Sequence, residues 1–381
     1  MGPSAALPFL PDDVLEDIFL RLDGGADLAR AAAACTSFRR IVAGRRFLRR
    51  FLSVHPPPLL GFINTGYYRG FLAAQPPRRS APAARAVVQA ADFAYSFLHK
   101  PSDWRVQDAT GGRVLLSRQT PTTIFDDFVV CDPLHRRYVE IPPIPADHVV
   151  STGRYSAETE FEPFLAPAEE EEADESSFRV VCNVISRHKI VAFMFSSVTG
   201  QWRVATSFSP LPDMLISNLP TRHYVRNCFY WVHNWVDRML VLDLNDMEFS
   251  VVGLPQHDVY WHWLAIVDAG EGMLGLLVQL GPYGCALNLY CKTWRNNGVG
   301  TEEWRHAKII PLPHCDGSWQ IKGPAEDYIL MRALSHQTRE QQFFTLELKT
   351  LLVERLCVSD QNFYHAHPYA SFPPPLSLPR I

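Results

Sequence analysis

Many of the features that place a chain quickly are missing from these 381 residues. No apolar run reaches the roughly 18 residues of a membrane-spanning helix. The opening Met1-Gly2-Pro3-Ser4-Ala5-Ala6 has no basic head and runs into Asp12 and Asp13, so no signal peptide is expected. Ala6 stands where a myristoylation signal needs Ser or Thr. No asparagine lies in an N-x-[ST] sequon, and none of the eight cysteines (35, 131, 182, 228, 285, 291, 315, 357) forms a C-x-x-C pair. Together these absences predict buried, reduced thiols in the cytoplasm, the nucleus or both, with no membrane partner. Charge of one sign is lacking too: 36 Lys+Arg against 40 Asp+Glu gives no basic field to hold nucleic acid. There is no P-loop, G-x-S-x-G or H-E-x-x-H.

What is present is an ordinary globular apolar share, 47%, and 30 prolines, above average usage. That many prolines predict short elements with tight connections after the first fifty residues. Leu10-Pro11-Asp12-Asp13 opens a first helix, with Pro11 tolerated in a first turn and the aspartates at the positive end of the dipole. Val14, Leu15, Ile18, Phe19 and Leu22 then recur at helical steps. Asp23-Gly24-Gly25 breaks the helix, and Asp27 is a fitting cap for a second, carried by Leu28, Ala31, Ala32, Cys35, Phe38 and Val42. Phe47, Leu48, Phe51 and Leu52 mark a third, ending before Pro56. Three short helices bury little surface alone, so this unit wants a partner.

The strings LPDDVLEDIFLRL, DLARAAAACTSFRRIV and FLRRF over residues 10 to 51 resemble the F-box. Phe38 stands where Trp is usual and keeps the aromatic packing; Ala34 stands where Val is commoner. The resemblance implies a unit over residues 1–54 that docks on a Skp-family adaptor, and through it on cullin and RING subunits. The adaptor-binding residues it implies are Leu10, Pro11, Leu15, Ile18, Leu22, Leu28, Cys35, Phe38 and Phe47. The cluster Arg39, Arg40, Arg45, Arg46, Arg49 and Arg50 reads as a positive face that speeds the approach of an acidic adaptor.

From residue 101 the pattern changes to short strands with turn punctuation. Comparable middle strands start near Met194, Leu240, Leu287 and Phe343, a period in the range of propeller blades such as WD40 and kelch. A Leu-Pro or Ile-Pro closes several outer strands, where Pro removes no ladder bond. Residues 101–381 are therefore expected to form a mainly β domain, a β-propeller of five to six blades, with a β-sandwich as the rival. The Tyr-Trp followed by Leu-x-Leu-Asp, and His367-Pro368-Tyr369 with Phe372-Pro373-Pro374, resemble the F-box-associated propeller region of plant, particularly grass, F-box proteins. Five units are visible; residues 59 to 105 or the last strand complete a sixth. The stretch from Glu354 through Phe372 is the one expected to reach back towards Trp104 and Val106 and close the ring.

Residues 55–100, with Pro56-Pro57-Pro58 and Pro76-Pro77, read as a Pro/Ala-rich spacer. An acidic loop falls near 165–176, where Glu169-Glu170-Glu171-Glu172 repel one another and stay solvated; docking of a basic partner is its alternative. Gly270-Glu271-Gly272-Met273-Leu274-Gly275 spells G-x-G-x-x-G. The run from Leu276 to Leu280, closed by Gly281-Pro282, is too short for a dinucleotide-binding helix, so a glycine hairpin between two strands is expected. His365-x-His367 and His314-Cys315 lack a second pair to complete a metal site. No cofactor, metal or catalytic residue is therefore expected. Tyr230, His233, Trp235, Tyr260 and His262 are candidate substrate-reading residues, because surface aromatics anchor recognition sites. Packing between blades is the alternative, favoured for Trp261 and Trp263.

Taken together, the resemblance implies the substrate-receptor subunit of a Skp–cullin–F-box ubiquitin ligase, itself non-catalytic, holding an unidentified target protein on its β domain. The alternatives are a scaffold or regulatory F-box protein that delivers no substrate, and a propeller hydrolase or oxidoreductase.

Overall fold

The protein is described from a computed structural model. It describes residues 10–22, 24–55, 57–64, 70–118, 127–145, 159–167, 177–186, 189–209, 222–232, 238–255, 264–279, 284–293, 303–325, 327–338, 340–360, 366–372 and 381.

Four helices come first: α1 (Asp12–Leu20), α2 (Gly25–Ala34), α3 (Thr36–Val42) and α4 (Arg45–Val54). The expected three become four because Cys35, extended at φ −156°, ψ 164°, cuts the second. Its Sγ accepts from the Phe38 N–H at 3.5 Å and so caps α3, a role Ser, Thr, Asp or Asn usually fills. Leu15, Phe19, Leu28, Ile41, Phe47, Leu48 and Phe51 form the core of this helical domain. Edge-to-face rings order it, with Phe19–Phe38 centroids 5.1 Å apart and Phe19–Phe47 6.3 Å.

The remainder is a ring of six blades. Residues 55–100, expected as a spacer, instead carry β1 (Leu59–Asn64), β2 (Gly70–Ala73) and α5 (Ala81–Ala90). Blade 1 is β3 (Arg105–Thr110), β4 (Arg113–Arg118), β5 (Asp127–Asp132) and β6 (Arg137–Ile141). Blade 2 follows as β7 (Glu160–Ala166), β8 (Arg179–Ser186), β9 (Lys189–Ser196) and β10 (Gln201–Phe208). Blade 3 is β11 (Arg222–Val225), β12 (Cys228–Val232), β13 (Arg238–Asp243) and β14 (Glu248–Gly253). Blade 4 is β15 (Leu264–Asp268), β16 (Met273–Gln279), β17 (Ala286–Thr293) and β18 (Arg305–Pro311). Blade 5 is β19 (Ser318–Ala325), β20 (Tyr328–Leu334), β21 (Gln341–Glu347) and β22 (Val353–Ser359). Each is an antiparallel meander. Blade 6 joins β2 and β1 to β23 (Ala366–Ala370), with Leu59 opposite Ala370 and Asn64 opposite Ala366.

The closing strand is thus β23, lying between β1 and the inner strand β3. The part of the expected closing stretch around Leu356 and Val358 is β22, the outer strand of blade 5. Blade 6 has three strands, and α5 covers its outer side with Ala84 and Val87 turned inward. Gln75 seals the neighbouring edge, donating its N–H to Leu356 O (2.8 Å) and accepting the Val358 N–H on Oε1 (3.1 Å). At Gly61 a Cβ would fall 2.0 Å from Leu72 O, so only glycine lets β1 and β2 approach this closely.

Strand alternation sends each blade's side chains to its two neighbours. In β12, Phe229 and Trp231 pack towards blade 2, while Tyr230 and Val232 pack towards blade 4. The G-x-G-x-x-G stretch is the β15–β16 hairpin, Gly270 and Gly272 taking φ of 78° and 76° in its turn. Of the expected acidic loop, Leu165 and Ala166 are buried at the end of β7. Residues 168–176 lie outside the described residues. Among the described residues, no helix is long and apolar enough to cross a membrane.

Candidate functional site

Helix α1 has two apolar faces. Leu15 and Phe19 point into the helical core, whereas Val14 and Ile18, and Leu10 in the segment that leads into the helix, stand 39%, 45% and 44% exposed. Of the residues implied to meet an adaptor, Leu10, Pro11, Ile18 and Cys35 are on the surface. Leu22 and Phe38 are half-buried, and Leu15, Leu28 and Phe47 are inside the helical core. Val14 belongs to the surface stripe, and its spacing from Leu10 and Ile18 was the signal for it. Arg40 Nη2 reaches Asp12 at 2.8 and 3.1 Å, and Arg50 reaches Glu16 and Asp17 at 3.5 Å. These pairs are exposed and add little stability. They hold the polar flank of α1 against α3 and α4 and leave the apolar stripe turned outward.

The propeller's centre is polar and matched. Arg222, which opens β11, pairs with Asp108 of β3 at 2.8 Å and with Glu162 of β7 at 3.1 Å, joining blades 3, 1 and 2. Its guanidinium lies over the Phe164 ring at 4.2 Å. Glu162 also accepts the Trp231 indole N–H (2.8 Å) and the Asn183 amide (3.2 Å). Asp108 accepts the Leu165 N–H at 2.9 Å and faces His367 of β23 at 3.7 Å, which brings in blade 6. Burial pushes the Asp108 carboxyl up, but Arg222, His367 and the Leu165 N–H bring it down to about 2. At Glu162 burial prevails over Arg222, Trp231 and Asn183, and the carboxyl sits above its ordinary value. His223, beside Arg222, is buried, and its Nδ1 accepts the Ile266 N–H at 3.4 Å. Burial and the Arg222 charge lower it to about 3. This network ties blades 1, 2, 3 and 6 together.

Tyr230, expected on a reading surface, is fully buried between blades 3 and 4, because β12 is covered on both faces. His233, Trp235, Tyr260 and His262 lie outside the described residues. The strand ends their segments join are informative. Val232, Arg238 and Gly253 share one end of blade 3, as the pairs Val232–Met239 and Arg238–Gly253 show. With four antiparallel strands per blade, every inner strand, β15 at Leu264 included, starts at that end. The helical domain is at the other end, where β23 finishes at Ala370 beside Leu59.

Among the described residues, no group of three or more His, Cys, Asp or Glu is arranged to hold a metal ion. Burial pushes the Cys228 and Cys357 thiols up to about 12, so both stay protonated and unreactive at neutral pH.

The chain is thus a helical unit with an apolar stripe in water, seated on one end of a closed six-bladed ring. The propeller region, residues 105–371, matches the family described as F-box protein AT5G49610-like, beta-propeller, and residues 7–53 match an F-box-like domain. The chain belongs to this family of F-box propeller proteins. Its domain combination is that of a receptor subunit of Skp–cullin–F-box ligases, and F-box-like domains in general bind Skp-family adaptors. No curated protein sequence matches the chain. Solved structures similar to it include a chain of a nidogen/laminin complex at 12% identity, covering 71% of this chain and 87% of that one, TM-score 0.36. An oligogalacturonate lyase in complex with manganese is 11% identical over 66% and 65% of the two chains, TM-score 0.37. TolB from Acinetobacter baumannii is 12% identical over 68% and 55%, TM-score 0.36. Likeness at this level carries no functional argument.

Proposed function

We propose that this chain is a substrate-receptor subunit of a Skp–cullin–F-box ubiquitin ligase. In this reading the α1 stripe of Leu10, Val14 and Ile18 docks on the Skp-family adaptor, cullin and RING subunits join through it, and the propeller holds a target protein. The contribution is proximity: a bridge that holds target lysines near the ubiquitin thioester raises their effective concentration, with no chemistry of its own. The compartment that goes with it is the cytoplasm, the nucleus or both. The observation that carries the reading is the stripe, three exposed apolar side chains, Val14 and Ile18 on α1 and Leu10 just before it, beside a helix whose opposite face is already packed. In this reading the target sits at the end of the ring opposite the helical domain, where the inner blade strands start.

The test is Ile18→Asp, measured by calorimetric titration against a purified Skp-family adaptor. Because Ile18 is 45% exposed, melting should stay within the range of a surface change, about 0.5 kcal/mol. Placing a carboxylate in the docked interface should weaken binding at least tenfold, a loss of about 1.4 kcal/mol. Binding at native affinity would refute the docking face. Leu15→Asp is the wrong probe, since Leu15 is inside the core and its loss would unfold the helices whatever they bind.

A further inference from the structure

The helical domain is completed by a residue from the other end of the chain. Phe372, 2% exposed, sits in the helical core with its ring 6.4 Å from that of Phe51 at 65°. It comes two residues after β23, and Ser371 between them donates its N–H to Pro58 O at 3.3 Å. Tyr369, in the same short segment, packs on Phe71 and Phe93 with centroids 5.6 and 5.2 Å away. Its hydroxyl reaches Gly112 O in blade 1 at 3.5 Å. One stretch of chain therefore forms the inner strand of blade 6, leans on blade 1 and ends inside the helices.

The second attachment is the chain between α4 and β1. His55 stacks on Phe51 at 4.3 Å, and its Nε2 lies 2.9 Å from Leu20 O, so the exit from α4 is held against α1. A body joined by a single segment of chain pivots about it; a second segment running beside the first, with a side chain seated in the core, hinders that rotation. Phe51 touches both attachments, His55 on one side and Phe372 on the other.

We propose that Phe372 is a positioning residue: it locks the helical domain in a single orientation on the propeller, fixing the direction in which α1 presents Leu10, Val14 and Ile18 relative to the ring. The lock is a property of the two domains and stands whether or not the chain delivers substrates. The remaining core members, Leu15 through Phe51, lie within the helices themselves, so a smaller residue at 372 leaves the helices formed and frees their angle.

The experiment uses the full chain with Cys35→Ser and Cys285→Ser, the two exposed cysteines, replaced. Spin labels go on Ala33→Cys in α2 and Val198→Cys in the exposed β9–β10 turn. Pulsed dipolar spectroscopy reads the distance distribution in the native chain and in Phe372→Leu, Phe372→Val and Phe372→Ala, with helical circular dichroism alongside. The lock requires one narrow peak in the native chain and in Phe372→Leu. It requires a width growing with each smaller residue, at least twofold by Phe372→Ala, with helical signal retained in the Leu and Val variants. A width unchanged through Phe372→Val with native helicity overturns it. So does helical signal lost in step with side-chain size from Phe372→Leu onward, which would make Phe372 a folding residue only.

Discussion

The helical domain and the propeller treat their unmatched surface differently. In the helices, α1 turns Leu15 and Phe19 inward and leaves Leu10, Val14 and Ile18 in water. In the propeller, both faces of a strand such as β12 are covered by neighbouring blades. Polar groups that must go inside there, Asp108, Glu162 and Arg222, are matched to one another. The blades cover one another and match their central charges, whereas α1 keeps one apolar face in water. An apolar stripe that the fold leaves uncovered is informative because monomers rarely keep such patches without use.

If the ring is self-sufficient only when closed, removing its last strand should cost more than any point change. A chain ending at Asp360 lacks β23, leaving β1 without its inner partner and uncovering Phe62 and the Phe71 and Phe93 rings on which Tyr369 packs. The expected outcome is aggregation on size exclusion and rapid proteolysis from residue 59 onward. A monomeric, equally resistant product would show that closure is unnecessary.

Next in size is the central network. Arg222→Leu leaves Asp108 and Glu162 buried together without their cation, a loss of about 3–5 kcal/mol. Chemical denaturation measures it. A loss under about 1 kcal/mol, the range of exposed pairs, would mean that water reaches the network.

The same centre sets an acid response. His223 is lowered to about 3 in the fold against about 6.5 unfolded. Its neutral form is favoured, so its contribution is complete above pH 6.5 and is lost as pH falls from there towards 3. The slope approaches about 1.4 kcal/mol per pH unit between pH 6 and 4. Glu162, raised by burial, runs the other way and gains as pH falls through its folded value. Denaturation midpoints from pH 7 to 4 should therefore flatten in His223→Gln. An unchanged slope would assign the acid sensitivity elsewhere.

The smallest effect is expected outside the described residues. Ala166 pairs with Arg179, so β7 and β8 can be joined by a short loop. Deleting residues 169–175 while keeping Leu165 and Ala166 should shift stability by no more than about 0.5 kcal/mol in a thermal melt. A larger loss would show that the acidic segment packs.

The blade strands were legible because each pairs with a neighbour a few residues away and carries its own turn, as Gly270 and Gly272 do for β15 and β16. Blade 6 was legible in part: residues 59 to 105 or the last strand were expected to complete it, but β1 pairs with β23 across some 300 residues, and no local signal reports that both contribute. Gly61 was the one trace of it, a glycine required by Leu72 O. The break at Cys35 was hidden because the helical spacing ran on through a capping residue of an unusual type. The exposed stripe was half legible: spacing finds which α1 residues are apolar, but cannot say that Leu15 goes in while Val14 and Ile18 stay out. Tyr230 was misjudged because an inner-blade strand is covered twice, and alternation alone does not reveal the second cover.

The place of Phe372 also bears on how the protein is made. At about 5–20 residues per second, roughly 20–60 s separate the synthesis of α4 from that of Phe372. During that interval the helices exist without the ring that fills their core, and β1 waits for β23. A chain released early therefore has neither a shut ring nor a seated helical domain, and both defects are repaired by the same seven residues, 366–372. Emergence of this one segment supplies both the closing strand of the ring and the Phe372 ring of the helical core.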